Sequence, residues 1–326
     1  MTTPFRKAKG EQAALKMALY GPAGSGKTMT ALLLAEGIAQ NTGKRVAYVD
    51  TEHGTDFYAQ AVPSRTVHPE PFDFDAFYSR SIVDVPAAIM GISESDYSVV
   101  VVDSITHIWE AAINSYQGKT TRIGTIPIQA WGKIKKPYKD MLTFLLNTTM
   151  HVLICGRQSN EFDTNDDGEM RKVGVKMKAE GETPYEPHIL IRMESVKPAR
   201  SAESGWVEAF IEKDRTGILS GRTFKNPTFN DLAKPILPLL GLSQAKIDSA
   251  ETVAGNDSEK IEAAEQQAEA ESKAFLDDFT ARLQLCKTEK ELKELDKPIQ
   301  AAKPQMMTEH IKTLREAYLA AKAKAR

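Results

Sequence analysis

One glycine-rich stretch constrains the fold of this chain more than any other part of the sequence. It runs from Gly21 to Thr28 as GPAGSGKT and fits the pattern G-x-x-x-x-G-K-[ST]. The apolar run 14–20 before it predicts a strand, and 29–40 after it is typical of a helix. Such a loop turns backbone N–H groups toward one point at a helix N-terminus, which favours an anion there. The sequence therefore predicts a phosphate cradle, and the alternative is a glycine-rich turn that only joins strand to helix.

The fixed positions of this loop predict distinct contacts with a nucleotide and its metal ion. The predicted nucleotide-binding residues are Gly21, Gly24, Ser25, Gly26, Lys27 and Thr28. Lys27 would reach the β- and γ-phosphates, and the Thr28 hydroxyl would be a ligand of Mg²⁺. We therefore expect a nucleoside triphosphate and Mg²⁺ as the bound groups.

Two further apolar runs predict buried parallel strands that end in acidic residues. These are 45–50, RVAYVD, and 97–103, YSVVVVD. Because ligands bind at the carboxyl edge of such sheets, we expect Asp103 to hold Mg²⁺ opposite Thr28. The alternative for Asp103 is the N-cap of the helix that follows it. Glu52 follows the first run, where it could orient an attacking water, and the alternative is an ordinary loop acid.

Basic residues cluster in two segments. The run between 119 and 139 contains no acid, and its basic residues are Lys119, Arg122, Lys133, Lys135, Lys136 and Lys139. A solvated helix face is one interpretation. With Trp131 and Tyr138 among them, the other is contact with single-stranded nucleic acid by backbone neutralisation and base stacking. The excursion 159–182 is typical of a hairpin with its tip at 166–168 and with Arg171 and Lys172 on its return arm. A loop of this length could contact DNA or a neighbouring subunit.

Periodicity predicts the remaining organisation. We expect a short strand at 65–68, a loop and helix start over 69–77, antiparallel strands at 189–193 and 206–211, and a short helix at 231–240. The predicted domains are 1–242 for the α/β core and 259–326 for a small C-terminal helical appendage, joined by a polar linker at 243–258. Apolar stripes at helical spacing in 275–283 and 311–318, with a capping box at 288–291, predict three helices in this appendage.

Composition limits the partners and the compartment. A net charge of −2 excludes wholesale attraction to nucleic acid, so any such binding must come from local patches. Cys155 and Cys286 match no metal or redox spacing, which favours reduced thiols in a cytoplasmic protein. No stretch approaches the roughly 20 apolar residues of a membrane span, so we expect no membrane partner.

Three motifs together resemble a known family. GPAGSGKT, VAYVDTEHG and YSVVVVDSIT are similar to the RecA/KaiC division of P-loop ATPases, and the layout of 15–240 resembles phage-encoded RecA-like ATPases of single-strand annealing and homologous recombination. The resemblance implies a RecA-like α/β fold with a mostly parallel central sheet, ATP with Mg²⁺, and a catalytic role for Glu52. It also implies that Gln158 is the γ-phosphate sensor beside a DNA-binding loop at 159–182.

The resemblance extends to a pair of cations and to assembly. Lys213 and Arg215 are similar to the K-x-R element that related hexameric helicases insert into a neighbour's site, and the alternative is a charged hairpin end. This implies rings or filaments and a DNA-stimulated ATP hydrolase acting on single-stranded DNA in phage recombination, in the host cytoplasm. The alternative function is a helicase-loader-like or regulatory ATPase whose C-terminal helices bind a protein partner.

Overall fold

A computed structural model describes residues 14–117, 126–164, 169–197, 205–240, 257–303 and 306–324. The chain divides into two compact units, 1–250 and 251–326. The division falls within the polar stretch 243–258. Among the described residues, no helix has the length and apolar character needed to cross a membrane.

The first unit is built on one twisted sheet, to which the described residues contribute nine strands. In chain order these are β1 (Lys16–Gly21), β2 (Arg45–Asp50), β3 (Asp75–Tyr78), β4 (Tyr97–Asp103), β5 (His151–Thr164), β6 (Met170–Met177), β7 (Ile189–Val196), β8 (Trp206–Asp214) and β9 (Thr223–Lys225). The order across the sheet is β3-β2-β4-β5-β1-β7-β8-β9, and β6 pairs with β5 beside this path. The neighbouring strands in the series β3-β2-β4-β5-β1-β7 pair in parallel. Strand β6 pairs antiparallel with β5, β8 with β7, and β9 with β8.

Helices cover both faces of this sheet. They are α1 (Lys27–Thr42), α2 (Asp84–Met90), α3 (Ile105–Gln117), α4 (Ile128–Asn147) and α5 (Phe229–Leu232). Helices α1 and α5 pack with Met17 and Leu19 of β1 in one core cluster, whereas α2, α3 and α4 pack with Ala18 and Tyr20 in another. Because successive side chains of a strand point to opposite faces, the two clusters lie on opposite sides of the sheet. The predicted α/β fold with a mostly parallel central sheet is confirmed.

The centre of the sheet follows from the apolar runs of the sequence. Four successive valines of β4, at 99–102, are fully buried, as a strand covered on both faces requires. Helix α1 approaches α5 closely at Gly37, where an added Cβ would lie 2.3 Å from Cγ of Phe229. These contacts hold the loop between β1 and α1 on a rigid base.

Three predicted elements of the first unit are wrong in place or length. No strand forms at 65–68; instead Arg65 donates to the Phe57 carbonyl at 2.8 Å. The next strand is β3, which overlaps the end of the stretch 69–77 predicted to be a loop and helix start, and it pairs in parallel with β2. The helix predicted at 231–240 is only the short α5, followed by a single 3₁₀ turn at Leu237–Leu239.

The second unit contains three helices among its described residues: α6 (Asp257–Leu285), α7 (Glu289–Ala302) and α8 (Thr308–Lys324). They enclose a small apolar core of their own, which includes Phe279, Leu283, Leu292 and Leu314. Helix α7 begins with the predicted capping box, in which the Thr288 and Glu291 side chains satisfy each other's backbone N–H groups. The helical stripes of the sequence therefore form the core of this unit.

Candidate nucleotide-binding site

The loop between β1 and α1 depends on its glycines. Gly24 and Gly26 have φ of 75° and 83°, in the left-handed region that glycine adopts without strain. A Cβ on Gly26 would also lie 2.9 Å from Cγ2 of Val207 in β8, and one on Gly21 would lie 2.1 Å from the carbonyl oxygen of Met193 in β7. Larger side chains at these two positions would displace the loop from the strands beneath it.

Lys27 is the first residue of α1, and its ammonium group lies over this loop. It donates to the carbonyls of Gly21 at 3.1 Å and Pro22 at 2.8 Å, and to the Ser25 hydroxyl at 3.4 Å. Burial lowers the pKa of Lys27, while the nearby carboxylates of Asp103 and Glu52 act in the opposite direction. The cation is thus positioned where the loop would hold phosphates.

Thr28, near the start of α1, meets Asp103, the last residue of β4. The Thr28 hydroxyl donates to Oδ2 of Asp103 at 2.6 Å, and the Tyr48 hydroxyl donates to the same oxygen at 2.8 Å. These bonds turn Oδ2 toward the glycine-rich loop. Burial raises the pKa of Asp103, although the hydrogen bonds from Thr28 and Tyr48 act against it.

This pair of oxygen donors fits Mg²⁺, which prefers oxygen ligands and keeps several waters. Within the described part of the chain, no cluster of three or more His, Cys, Asp or Glu side chains could hold a metal ion. Mg²⁺ at Thr28 and Asp103 would therefore complete its coordination with water and nucleotide phosphate oxygens, as it does in phosphoryl-transfer sites.

Asp50 at the end of β2 shapes the turn that carries Glu52. Its carboxylate accepts from the backbone N–H groups of Glu52 and His53, both at 2.8 Å, and from the backbone and hydroxyl of Thr55. Although burial acts to raise it, these hydrogen bonds hold the pKa of Asp50 below its ordinary value. A buried carboxylate bound in this way organises the turn and leaves the adjacent Glu52 to face the cleft.

Glu52 is partly exposed and contacts two groups of other elements. Its Oε1 accepts from Nε and Nη2 of Arg157 at 3.2 and 3.0 Å, and Nδ1 of His107 lies 3.8 Å away. His107 in turn lies 2.8 Å from the Thr51 hydroxyl, and burial lowers the pKa of its ring. The carboxylate is therefore bordered by one cation and one buried imidazole.

A cleft of about 540 Å³ joins these groups. Its lining contains Gly21, Pro22, Ala23, Gly24, Gly26, Lys27, Thr28, Met29, Glu52, Tyr58, Asp103, Arg157 and Gln158. The Oε1 atom of Gln158 is buried and has no hydrogen-bond partner among the described residues. The structure thus brings together at one sheet edge the loop residues, Glu52, Asp103 and Gln158 that the sequence predicts.

Lys213 and Arg215 lie at the opposite edge of the sheet from this cleft. Strand β8 runs antiparallel to β7 and pairs Asp214 with Ile189, the first residue of β7. Lys213 donates to the carbonyls of Tyr185 and Pro187, and Nη2 of Arg215 donates to the Tyr185 carbonyl at 3.1 Å. Within one chain, these cations secure the segment before β7 and take no part in the cleft.

The basic run of α4 is more fully paired than its sequence suggests. Lys135 is 2.8 Å from buried Glu180, and Lys136 is 3.4 Å from Asp140, whereas Lys133 is exposed. Lys119 and Arg122 lie outside the described residues. Lys135 is therefore held by an acid outside the helix and Lys136 by an acid of the same helix, so these two cations are less free than the sequence suggests.

The aromatic residues of this run are not arranged as an open stacking surface. Tyr138 is fully buried, with its hydroxyl 2.8 Å from that of Thr183. Trp131 stacks on Trp109 at 6.3 Å between ring centroids. The expectation that Tyr138 accompanies the lysines in base stacking is wrong, because its ring fills the core between α4 and the sheet.

Strands β5 and β6 form the predicted hairpin, with Arg171 and Lys172 exposed on its return arm. Arg171 pairs with Asp163 across the strands, and Lys172 pairs with Phe162. The expected hairpin tip at 166–168 lies outside the described residues. Because β5 continues without a break from the core through Gln158, the hairpin and the cleft share one strand.

Sequence reasoning missed four residues of this site: Tyr48, Tyr58, His107 and Arg157. Arg157 carried a signal, since it ends the buried run 151–156 at the same edge as Asp50 and Asp103. Tyr48 lies within a strand, and no pattern predicts that its hydroxyl reaches Asp103 on the next strand. Contacts of this kind depend on the order of strands across the sheet.

A glycine-rich loop with Lys27 and Thr28, opposite an aspartate at the end of another parallel strand of the same sheet, defines a P-loop nucleotide-binding α/β protein. The chain belongs to the AAA_24 family, described as AAA domain, whose model matches residues 13–216. It is thus a member of the P-loop ATPases. No curated protein matches the chain. Among solved structures, the KaiC-like protein PH0186 of the hyperthermophilic archaeon Pyrococcus horikoshii OT3 is similar, with 14% identity and a TM-score of 0.42 over 68% of this chain and 94% of that one.

Proposed function

We propose that this protein is a Mg²⁺-dependent ATP hydrolase of RecA type that acts on single-stranded DNA in phage homologous recombination or strand annealing. The observation that carries the proposal is the cleft, which unites the P-loop with Glu52, Asp103 and Gln158.

Hydrolysis requires charge stabilisation and a positioned water. Lys27 and the loop N–H groups bind the phosphates, while Thr28 and Asp103 are the residues that would hold Mg²⁺. When bound, Mg²⁺ would neutralise charge on the β- and γ-phosphate oxygens. The Glu52 carboxylate, at the mouth of the same cleft, accepts a hydrogen bond from water and directs its oxygen toward the γ-phosphorus.

Gln158 supports a link between the nucleotide and DNA. Its buried Oε1 lacks a protein partner among the described residues, so this oxygen is available to accept a hydrogen bond from water at the cleft, while the NH₂ of the same amide is the group that would donate to a phosphate oxygen. The same strand continues into the hairpin that exposes Arg171 and Lys172. A shift of Gln158 on nucleotide binding would move the base of this hairpin. The residues proposed to contact DNA are Lys119, Arg122, Lys133, Lys135, Lys136, Arg171 and Lys172.

Self-association would complete the site. Lys213 and Arg215 are remote from their own cleft and bind only backbone carbonyls in the contacts described above. In a ring or short filament they would reach the cleft of a neighbouring copy and stabilise transition-state charge, as trans-acting cations do in other P-loop enzymes.

The rate of phosphate release from ATP, with and without a single-stranded oligonucleotide, tests this proposal. We expect stimulation by the oligonucleotide and DNA retention that weakens steeply with salt. An ATPase that is neither stimulated by DNA nor retained on it at low salt would contradict the recombination role and leave the hydrolase.

A second candidate function is a helicase-loader-like or regulatory ATPase whose C-terminal helices bind a protein partner. The observation that favours it is a groove of about 270 Å³ between α6 and α8, lined by Leu283, Ala317 and Ala321 among others. Leu285 and Leu319 of these helices are 78% and 57% exposed. Deleting residues 243–326 distinguishes the two functions: loss of DNA binding assigns the unit to the DNA site, whereas retained DNA binding with loss of partner capture favours the regulator.

A further inference from the structure

The ion pair between Arg157 and Glu52 occupies the carboxylate on which the proposed hydrolysis depends. Two guanidinium N–H groups, Nε and Nη2, donate to the same oxygen, Oε1 of Glu52. These bonds fix the direction of the Glu52 side chain and partly neutralise its charge, so the carboxylate does not turn toward an attacking water while the pair is closed. The pair joins the turn after β2 to the middle of β5, just beyond the part of β5 that pairs with β4.

Arg157 also lies beside the position of the phosphates. It pairs in register with Gly21, the first residue of the P-loop, on the adjacent parallel strand. Its side chain lines the cleft with Lys27. Burial is the main cause that lowers the pKa of Lys27; the charge of Arg157 also lowers it, whereas the carboxylates of Asp103 and Glu52 raise it. A guanidinium group binds phosphate and carboxylate oxygens with the same fork of donors. A terminal phosphate would therefore compete with Glu52 for it.

The backbone of Arg157 is fixed, whereas its side chain has room to move. Its N–H donates to the Thr106 hydroxyl at 2.9 Å, that hydroxyl donates to the Lys178 carbonyl at 2.6 Å, and the Lys178 N–H donates to the Arg157 carbonyl at 2.7 Å. The side chains of Arg157 and Glu52 are 50% and 43% exposed. Ion pairs this exposed are weak, so a phosphate of higher charge can replace one by a change of side-chain rotamer alone.

We propose that Arg157 leaves Glu52 for the terminal phosphate when ATP binds, which frees Glu52 to orient the attacking water. ADP lacks that phosphate and leaves the pair closed. Arg157 is thus a positioning residue that ties the availability of Glu52 to the presence of the γ-phosphate. The inference rests on the proposed function, because it assigns Glu52 to hydrolysis.

A double-mutant cycle on binding tests the exchange without any turnover. Dissociation constants for ADP and for a non-hydrolysable ATP analogue, both with Mg²⁺, are measured for the full chain, Glu52→Gln, Arg157→Gln and the double variant. Removing the competing carboxylate should tighten analogue binding by about twofold to fivefold, the range that an exposed ion pair allows. In the Arg157→Gln background, Glu52→Gln should change the constant much less. Arg157→Gln itself should weaken the analogue more than ADP.

Two further variants test the role of the guanidinium group and supply a control. Arg157→Lys retains the positive charge but lacks the paired N–H donors of a guanidinium group. Its dissociation constant for the ATP analogue should therefore lie between those of the natural chain and of Arg157→Gln. Arg45→Gln removes an equally exposed ion pair, with Asp75, outside the cleft lining and should change neither constant. Two results would overturn the exchange. One is that Glu52→Gln changes the affinity for the analogue equally in the natural chain and in Arg157→Gln. The other is that Arg157→Gln weakens the binding of the analogue and of ADP equally. A chain with the expected coupling that hydrolyses no ATP would contradict the proposed function alone.

Discussion

Lys16 is a buried cation at the edge of the sheet opposite the cleft. Its ammonium group donates to the carbonyls of Thr148 and Met150, both at 2.7 Å, just after the end of α4. Burial lowers its pKa to about 7, although Glu94 acts in the opposite direction. Lys16 therefore holds the end of a helix against β1 and carries a desolvation cost whenever it is charged.

This cost predicts a pH dependence of stability. The unfolded chain keeps the Lys16 proton up to about pH 10.5, whereas the folded chain loses it near pH 7. Between these values the unfolded state binds more protons, so the free energy of unfolding rises with pH and the gain is lost as pH falls toward 7. His151 and His188 nearby have pKa values of about 4, so they do not titrate in this range.

Lys16→Met isolates the effect. Relative to that variant, the natural chain should gain about 1 kcal/mol of unfolding free energy per pH unit between pH 7 and pH 10. Denaturant titrations followed by tryptophan fluorescence measure it, because Trp109, Trp131 and Trp206 all lie in the first unit. Parallel pH profiles of the two chains would show that Lys16 stays charged in the fold.

Glu52→Gln separates binding from turnover. The amide keeps the shape of the side chain but is a weaker acceptor for the attacking water, so phosphate release should fall by about a hundredfold to ten-thousandfold. Binding of Mg²⁺ and ATP, followed by equilibrium fluorescence, should persist because Lys27, Thr28 and Asp103 are unchanged. Unchanged turnover would remove Glu52 from its assigned role.

The sequence located the residues that a local pattern requires. Lys27, Thr28 and Asp103 are placed by a loop motif and by strand ends, and the fold brings them to one edge of the sheet. The sequence did not reveal Arg157 as the partner of Glu52, because that pair joins residues 105 positions apart. Such pairings depend on strand order, which neither periodicity nor composition determines.

At the scale of elements, β3 and the β5–β6 hairpin show why some segments resist prediction. Among the described strands β3 pairs with β2 alone; it has four residues, and the exposed Asp75, Phe77 and Tyr78 give it no buried apolar run from which a strand could be predicted. By contrast, the valines of β4 identify it from sequence alone. An edge strand is specified by its neighbour, whereas a central strand is specified by its own composition.

The hairpin gives a prediction for DNA binding. Replacing Arg171 and Lys172 together by alanine should weaken retention of a single-stranded oligonucleotide and reduce the slope of log affinity against log salt by about 1.4, if both cations meet phosphates. Lys290→Ala with Lys293→Ala, two exposed cations of α7, is the matched control. Identical salt slopes for both double variants and the natural chain would place DNA contact elsewhere.

At the scale of the whole molecule, each of the two units has its own core. The helical stripes 275–283 and 311–318 predicted the second core correctly, because an amphipathic helix carries its buried face in its periodicity. The first unit is where P-loop, Glu52 and Asp103 converge, and the family match covers 13–216 of it. The catalytic assignment therefore rests on the first unit.

Phosphate release from ATP by the full chain, beside Lys27→Ala, tests the central claim most directly. With Mg²⁺ present, the natural chain should hydrolyse ATP, and chelation of Mg²⁺ should abolish the reaction. Lys27→Ala should lose about a hundredfold or more of the rate, because one preorganised cation is removed from the phosphates. Circular dichroism of the variant should match that of the natural chain. Equal rates for the two chains, or no hydrolysis by the natural chain with or without DNA, would contradict the account.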